Sequence, residues 1–464
     1  MASDLPLVRL GDYVDACLGK MLDAQKNRGK LQRYLGNSNV RWGAFDLEDL
    51  AVMRFEEHED DRYGIRDGDL IVCEGGEPGR CAIWRGDTPM KIQKALHRVR
   101  TKDGLDSHFL YYWFLRAGRT GELEPFFTGT TIKHLTGRAL AELRIPLLPI
   151  ESQREVAKIL RSLDAKIDLN RRINQTLEAM AQAIFQSWFV DFDPVKAKIT
   201  AKAEGRDPLR AAMSAICGKP EAEFDALPPE QYEQLAATAA LFPDEMEASE
   251  LGEIPKGWSH KALLQLTDKI GSGSTPRGGK EVYLEEGVAL IRSQNVYDSL
   301  LVWDGLARIS DEAAAQLRGV TVQEEDVLLN ITGASILRTC VVEPDVLPAR
   351  VNQHVAIIRA KAGVPPRFIH MHLLRPDIKN YLLGLNAGAS REAITKAHIE
   401  SLVLLTPGPE LLSAFQTAIS PLFQQVHCLT RQMHALEELR DTLLPKLLSG
   451  ELTVESLVEN LEAA

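Results

Sequence analysis

Two stretches of the chain place apolar side chains in alternating steps of four and three residues. In the first, Val156, Leu160, Leu163 and Ile167 keep the step, and Ile173, Leu177, Met180 and Ile184 resume it after a change of phase. The spacing predicts a helix with a stutter near Asn170. It lies in a run from Ile150 to Phe189 without Gly or Pro, roughly 60 Å long if helical throughout, and it meets an Asp-Pro pair soon afterwards. In the second, Phe415, Ile419, Leu422, Val426, Leu429, Met433 and Leu436 step without a break and Leu443 resumes the seam, with Pro421 expected to kink the helix near its start. A stripe this narrow suits another helix better than a sheet, so an antiparallel pair within one chain is expected. The alternative is two separate amphipathic helices, each packed on its own domain.

Before each long helix the pattern is shorter. "DLIVCE" and "HRVRT" read as strands, as do "DVLLNIT", "TCVVEP" and "HVAIIRA" later, with turns such as "EGGEPGR" between them. The two regions also match each other. "KIQKALHRVRTKDG" from Lys91 lies over "RVNQHVAIIRAKAG" from Arg350, and "LTGRALAELRIPLLPI" from Leu135 over "ITKAHIESLVLLTPGP" from Ile394, both at an offset of 259 residues. "YLGNSNV" from Tyr34 lies over "LIRSQNV" from Leu290 at 256, and "DGDLIV" from Asp67 over "EEDVLL" from Glu324 at 257. Matches in order at nearly one offset indicate an internal duplication with small loop insertions.

The expected class is therefore α+β: two similar domains of mixed α/β structure and two long helices. The expected divisions are a first domain over 1–149, a central long helix over 150–195, an acidic linker over 196–254, a second domain over 255–408, a second long helix over 409–450 and a tail over 451–464. The linker stretch mixes Ala, Glu, Pro and Asp without sustained periodicity and reads as a connector with short helical pieces; a small helical subdomain is the alternative.

A net charge of −11 speaks against nucleic acid until its placement is considered. Residues 201–254 hold twelve acidic against four basic side chains, whereas the first 150 residues balance at 22 each. Neutral halves with basic loops remain compatible with DNA. Six cysteines without a C-x-x-C spacing argue against a zinc site and a disulfide framework. The opening "MASDLPLVRLGDYV" lacks a basic leader, and no apolar run reaches eighteen residues, so a cytoplasmic location is expected.

No catalytic signature is found. "GSGSTPRGGK" from Gly271 fails the phosphate-loop spacing and the dinucleotide pattern, and G-x-S-x-G and H-E-x-x-H are absent. His370 and His372, on a predicted helix without a partnering carboxylate, read as packing or surface residues, and Glu324, Glu325 and Asp326 as a turn. No metal ligands are assigned.

Polar clusters recur at matching places. The first half carries Lys26, Arg28, Lys30, Arg33, Asn37, Asn39, Arg41 and Trp42, and later Gln93, Lys94 and His97. The second carries Ser274, Thr275, Arg277, Lys280, Arg292, Gln294 and Asn295, and later Asn352 and Gln353. Arg, Lys, Asn and Gln pair with base edges while Ser, Thr and Lys suit phosphates, so these are the candidate DNA contacts. Their repetition at duplicated positions favours a shared role.

Three long motifs, "LDAKIDLNRRINQTLEAMAQAIFQSWFVDFDPV" from Leu163, "SELGEIPKGW" from Ser249 and "LRDTLLPKLLSGEL" from Leu439, resemble those of the DNA specificity subunits of type I restriction-modification systems. "YLGNSNVRW", "LIVCEGGEPGRCAIW" and "KALHRVR" resemble one type of target-recognition domain, and "GSGSTP" another. The resemblance covers nearly the whole chain; the long acidic linker departs from it. It implies two target-recognition domains, an antiparallel coiled coil, and a noncatalytic chain that reads a bipartite site in double-stranded DNA. It also implies two methyltransferase subunits as partners and restriction subunits in the full complex. S-adenosylmethionine, ATP and Mg would sit on those partners, with no cofactor on this chain and no membrane contact. A stand-alone methyltransferase or nuclease and a protein-only coiled-coil adaptor are the competing readings.

Overall fold

The computed structural model describes the chain apart from residues 1–4, 24, 26, 130, 304, 386–392 and 463–464. It divides into two compact units, residues 1–171 with 430–464, and residues 172–429. Each unit contains one fold of mixed α/β structure and part of both long helices, Ile150–Phe189 and Pro409–Leu448.

In the first unit, Val14–Leu18, Leu96–Thr101, Leu70–Cys73 and Cys81–Ile83 form an antiparallel sheet in that order. A second sheet orders Val52–Phe55, Lys30–Leu35, Met90–Ile92 and Gly64–Ile65, with Lys30–Leu35 and Met90–Ile92 parallel. Leu7–Arg9 pairs with Arg144–Pro146, bringing the start of the fold beside the segment that leads into the long helix. The helix Ser107–Thr120 is capped by Asp106, whose carboxylate accepts from the amides of His108 and Phe109. Seven consecutive residues of it, Phe109 to Leu115, are buried, so it is apolar on all sides and forms the centre of the core. The same core takes Val156 and Leu160 from the first long helix and Leu444, Leu447 and Leu448 from the second.

The second unit repeats the plan. Thr267–Ser272, Val355–Ala360, Val327–Asn330 and Thr339–Val341 form the antiparallel sheet. Val288–Ile291 runs parallel to Ala349–Val351 and antiparallel to Ala307–Ile309, and Ser259–Ala262 pairs with Val403–Thr406. The copies differ at one edge, where Tyr283–Leu284 adds a strand beside Ala307–Ile309 that the first copy lacks among the described residues, while Gly64–Ile65, paired with Met90–Ile92, is matched in the second copy by a single bridge from Thr321 to Arg350. An ion pair on a buried carboxylate is duplicated too: half-buried Arg100 donates two hydrogen bonds to Asp69, both 2.7 Å, and half-buried Arg359 donates two to Asp326, at 2.8 and 2.7 Å. Each carboxylate also accepts from a backbone amide three residues earlier and so closes its turn. The duplication read in the sequence is thus present in topology and in paired side chains.

The long helices run antiparallel. In the first unit Asp164 accepts from Arg440 at 2.9 Å and Asn170 donates to Gln432 at 2.8 Å, so residue numbers rise on one helix as they fall on the other. In the second unit Phe185, Trp188 and Phe189 pack with Leu411, Leu412, Phe415 and Ile419. The predicted stutter is not formed. Asn170 and Asn174 are buried, Met180 is 49% exposed and Ala181 is buried, so the seam steps through Ile167, Asn170, Asn174, Leu177 and Ala181 without changing phase. Counting apolar residues alone missed it because two seam positions are amides. The second helix continues through Pro421 as one element.

The stretch read as a linker is folded. Asp193–Ala203, Pro208–Cys217 and Pro229–Ala240 are helices, Met246–Ser249 and Gly252–Pro255 form a hairpin, and Ala212, Met213, Phe224 and Ala239 make a small core. The helical-subdomain alternative describes it better than a connector. Alanine supplies much of the buried surface, which leaves little apolar periodicity to read. Among the described residues no helix is long and apolar enough to cross a membrane.

Candidate nucleic-acid interface

Each of the two copies places part of its first polar cluster on a one-turn helix after a strand, Asn37–Asn39 in one and Ser293–Asn295 in the other. The turn is closed by its last residue. Asn39 accepts from the amide of Gly36 at 2.9 Å and donates to the carbonyl of Asp46 at 3.1 Å. Asn295 likewise accepts from the amide of Arg292 at 3.1 Å and donates to the carbonyl of Val302 at 3.0 Å. Both are buried, so these two predicted base contacts instead shape the loops that carry their neighbours. His97 is a third correction. It is buried, its Nε2 lies 2.9 Å from the carbonyl of Leu135, and burial lowers its pKa, so it belongs to the core.

The other predicted residues divide by commitment. Asn37 donates to the carbonyl of Gly75, Lys30 pairs with Glu57 at 3.1 Å, and Arg41 reaches the carbonyl of Ser38 and the carboxylate of Asp46. Arg28 and Lys94 are exposed with no partner among the described residues, and Gln93 is partly buried. Lys26 and the side chain of Lys280 lie outside the described residues.

In the second fold Arg292 donates to the carbonyl of Gly305 at 2.7 Å, and Asn352 is buried and accepts from the amide of His354. Thr275 donates to Gln353 at 2.7 Å, tying the "GSGSTP" loop to the other predicted cluster. Ser274, Thr275 and Arg277 line a cleft of about 740 Å³ with Gln316 and Arg318, and Gln294 is exposed nearby in sequence to Asn295. Exposed hydroxyl, amide and guanidinium groups around a concavity are suited to phosphates and base edges.

His370 and His372 lie on the buried helix Pro366–Leu374, and burial holds both imidazoles down at about 3. His372 meets the rings of Phe185 and Phe368 edge-on, so the packing reading is correct. Glu56, His58 and Glu59 bring ligand-type atoms together, but Lys20 holds Glu59 at 2.6 Å, and no metal is assigned there.

Residues 8–179 match the family model described as the type I restriction modification DNA specificity domain. The specificity subunit of the type I restriction enzyme HindI of Haemophilus influenzae is 31% identical over 339 residues, 69% of this chain and 72% of that protein. This chain belongs to the type I restriction enzyme specificity subunits. The MjaIX specificity subunit of Methanocaldococcus jannaschii is 25% identical over 84% of this chain and 79% of its own length. The crystal structure of the M. genitalium type I S subunit has the same fold, with a TM-score of 0.50, 15% identity and 96% of each chain covered.

In this specificity subunit, one concavity was missed by sequence reasoning. Trp42, Phe45, Trp84, Arg85 and His108 line a cleft of about 670 Å³ in the first unit, with Lys158 and Arg161 of the long helix on its wall. Trp42 stood in a polar cluster, but nothing in the sequence joins Trp84 and Arg85 to helix residues more than seventy positions away.

Proposed function

We propose that this specificity subunit reads a bipartite DNA sequence, one half-site per recognition fold, and holds two methyltransferase subunits, with restriction subunits added in the full complex. Recognition is the chain's part. S-adenosylmethionine, ATP and Mg belong to the partners, as does the transfer of a methyl group to adenine. The observation that carries the reading is the duplication: one topology occurs twice, and each copy leads directly into one helix of an antiparallel pair. Two readers with different loops on one chain match an asymmetric site in two parts, and paired helices of fixed length would set the gap between them.

The test is to map methylated adenines by single-molecule sequencing in cells carrying this chain with its methyltransferase subunit. Methylation at one asymmetric motif, with two specified parts around an unspecified gap of constant length, is expected. A single continuous motif, or methylation by the chain alone in the purified state, contradicts the proposal.

A further inference from the structure

The internal duplication supplies a control for the cleft in the first unit. At an offset of 259, His108 corresponds to Arg367, Lys158 to Thr417, Arg161 to Ser420 and Asp164 to Phe423, and at 258 Arg85 corresponds to Glu343. In the second copy these positions complete one another. Arg367 is buried, donates to Glu343 at 2.6 Å and has its guanidinium carbon 3.9 Å from the centre of the Phe423 ring. Cation, carboxylate and ring fill the place, and the two helix positions carry hydroxyls in place of charges.

The first copy leaves the same place open. The side chains of Arg85, Lys158 and Arg161 are exposed and have neither a hydrogen bond nor an ion pair among the described residues, in a cleft that the carboxylates of Asp164, Asp168 and Glu437 also line. Trp84 is 4% exposed and its Nε1 has no hydrogen-bond partner among the described residues; the Nε2 of His108 has none there either. Buried polar atoms without partners are rare in folded proteins. Burial and the Arg161 charge lower the His108 imidazole to about 4, so it is neutral near pH 7. Phe45 and Trp84 meet edge to face at 5.3 Å, and Trp42 completes an aromatic wall. The volume, about 670 Å³, is within the range of small-ligand sites.

We propose that this cleft is a nucleotide site, in which the aromatic wall takes a base, Trp84 and His108 meet its polar edge, and Arg85, Lys158 and Arg161 take the phosphate. An acidic side chain of a partner would use the cations but leave the aromatic wall and the two ring nitrogens unused, so a phosphate ester bearing a planar ring fits more of the cleft. The nucleotide is either free or part of bound DNA.

The test is calorimetric titration of the full chain with AMP, inorganic phosphate and a short single-stranded oligonucleotide. Saturable AMP binding is expected, with phosphate at least tenfold weaker. The double variant K158T/R161S, which installs the second copy's residues at exposed helix positions, should weaken AMP at least tenfold, while R154S on the same helix outside the cleft leaves it unchanged. Displacement of AMP by the oligonucleotide identifies DNA as the source, and persistence of AMP binding under saturating oligonucleotide identifies a free nucleotide. No AMP binding, equal binding by the double variant, or swap-sensitive binding of an acidic peptide in place of AMP overturns the proposal.

Discussion

At the residue scale, repetition marks the scaffold and difference marks the reader. Asn39 and Asn295, Asp69 and Asp326, and Arg100 and Arg359 occupy matching positions, and all of them hold turns or strands together. On the proposed reading, in which the two domains take different half-sites, recurrence of a polar residue in both points away from base contact. Sequence alone could locate the loops but not make this distinction, because a loop-closing asparagine and a base-reading asparagine look alike until their hydrogen bonds are seen. Arg277 and Gln294 are exposed and carry no such duty, so R277A and Q294A should each relax the second half-site while leaving the first and the melting temperature unchanged. N295A should instead lower stability by about 1–3 kcal/mol, since buried backbone groups lose their partner; site selection and thermal melts separate the two outcomes. Burial also makes a pH prediction. His370 and His372 are held neutral, with pKa values pushed down to about 3 from 6.5. Below pH 6.5 the unfolded chain binds protons that the folded chain refuses, so stability present above that pH is lost as it falls toward 3, by at most about 1.4 kcal/mol per pH unit for each histidine. H372F, which keeps a ring among Phe185 and Phe368, should flatten this acid limb in pH-dependent melts. An unchanged slope would mean that His372 is protonated in the folded state.

At the element scale, period and length were the most legible features. Strands such as Leu70–Cys73, Leu96–Thr101 and Val355–Ala360 fall where β-branched and apolar runs between turn signals put them, and both long helices fall where heptads do. What escaped was built from small or polar residues. Asn170 and Asn174 carry the seam through the middle of the first long helix, and alanine-rich helices fill the supposed linker. A buried amide in a helix seam lowers stability and fixes register. The double variant N170L/N174L should accordingly raise the melting temperature and broaden the range of half-site gaps returned by site selection. A lower melting temperature with one sharp gap would show the amides to be net stabilising and not the source of register.

At the scale of the whole molecule, the candidate sites were only partly legible, since a cleft gathers residues that sequence separates. The Ser274–Arg277 loop was found by composition, whereas the Trp84 cleft depends on a helix and a strand meeting in space. The architecture was legible because a duplication writes the same pattern twice, and the two copies lead into two helices of 40 residues each. If those helices act as the ruler, the gap between half-sites is a property of their length. One heptad adds about 10.5 Å to a helix, or roughly three base pairs of DNA. The most direct measurement is therefore site selection on randomised DNA, in complex with the methyltransferase subunit, for a chain with one heptad inserted at facing positions of both helices. Unchanged half-sites with a gap longer by about three base pairs are predicted; unchanged half-sites with an unchanged gap would contradict the account.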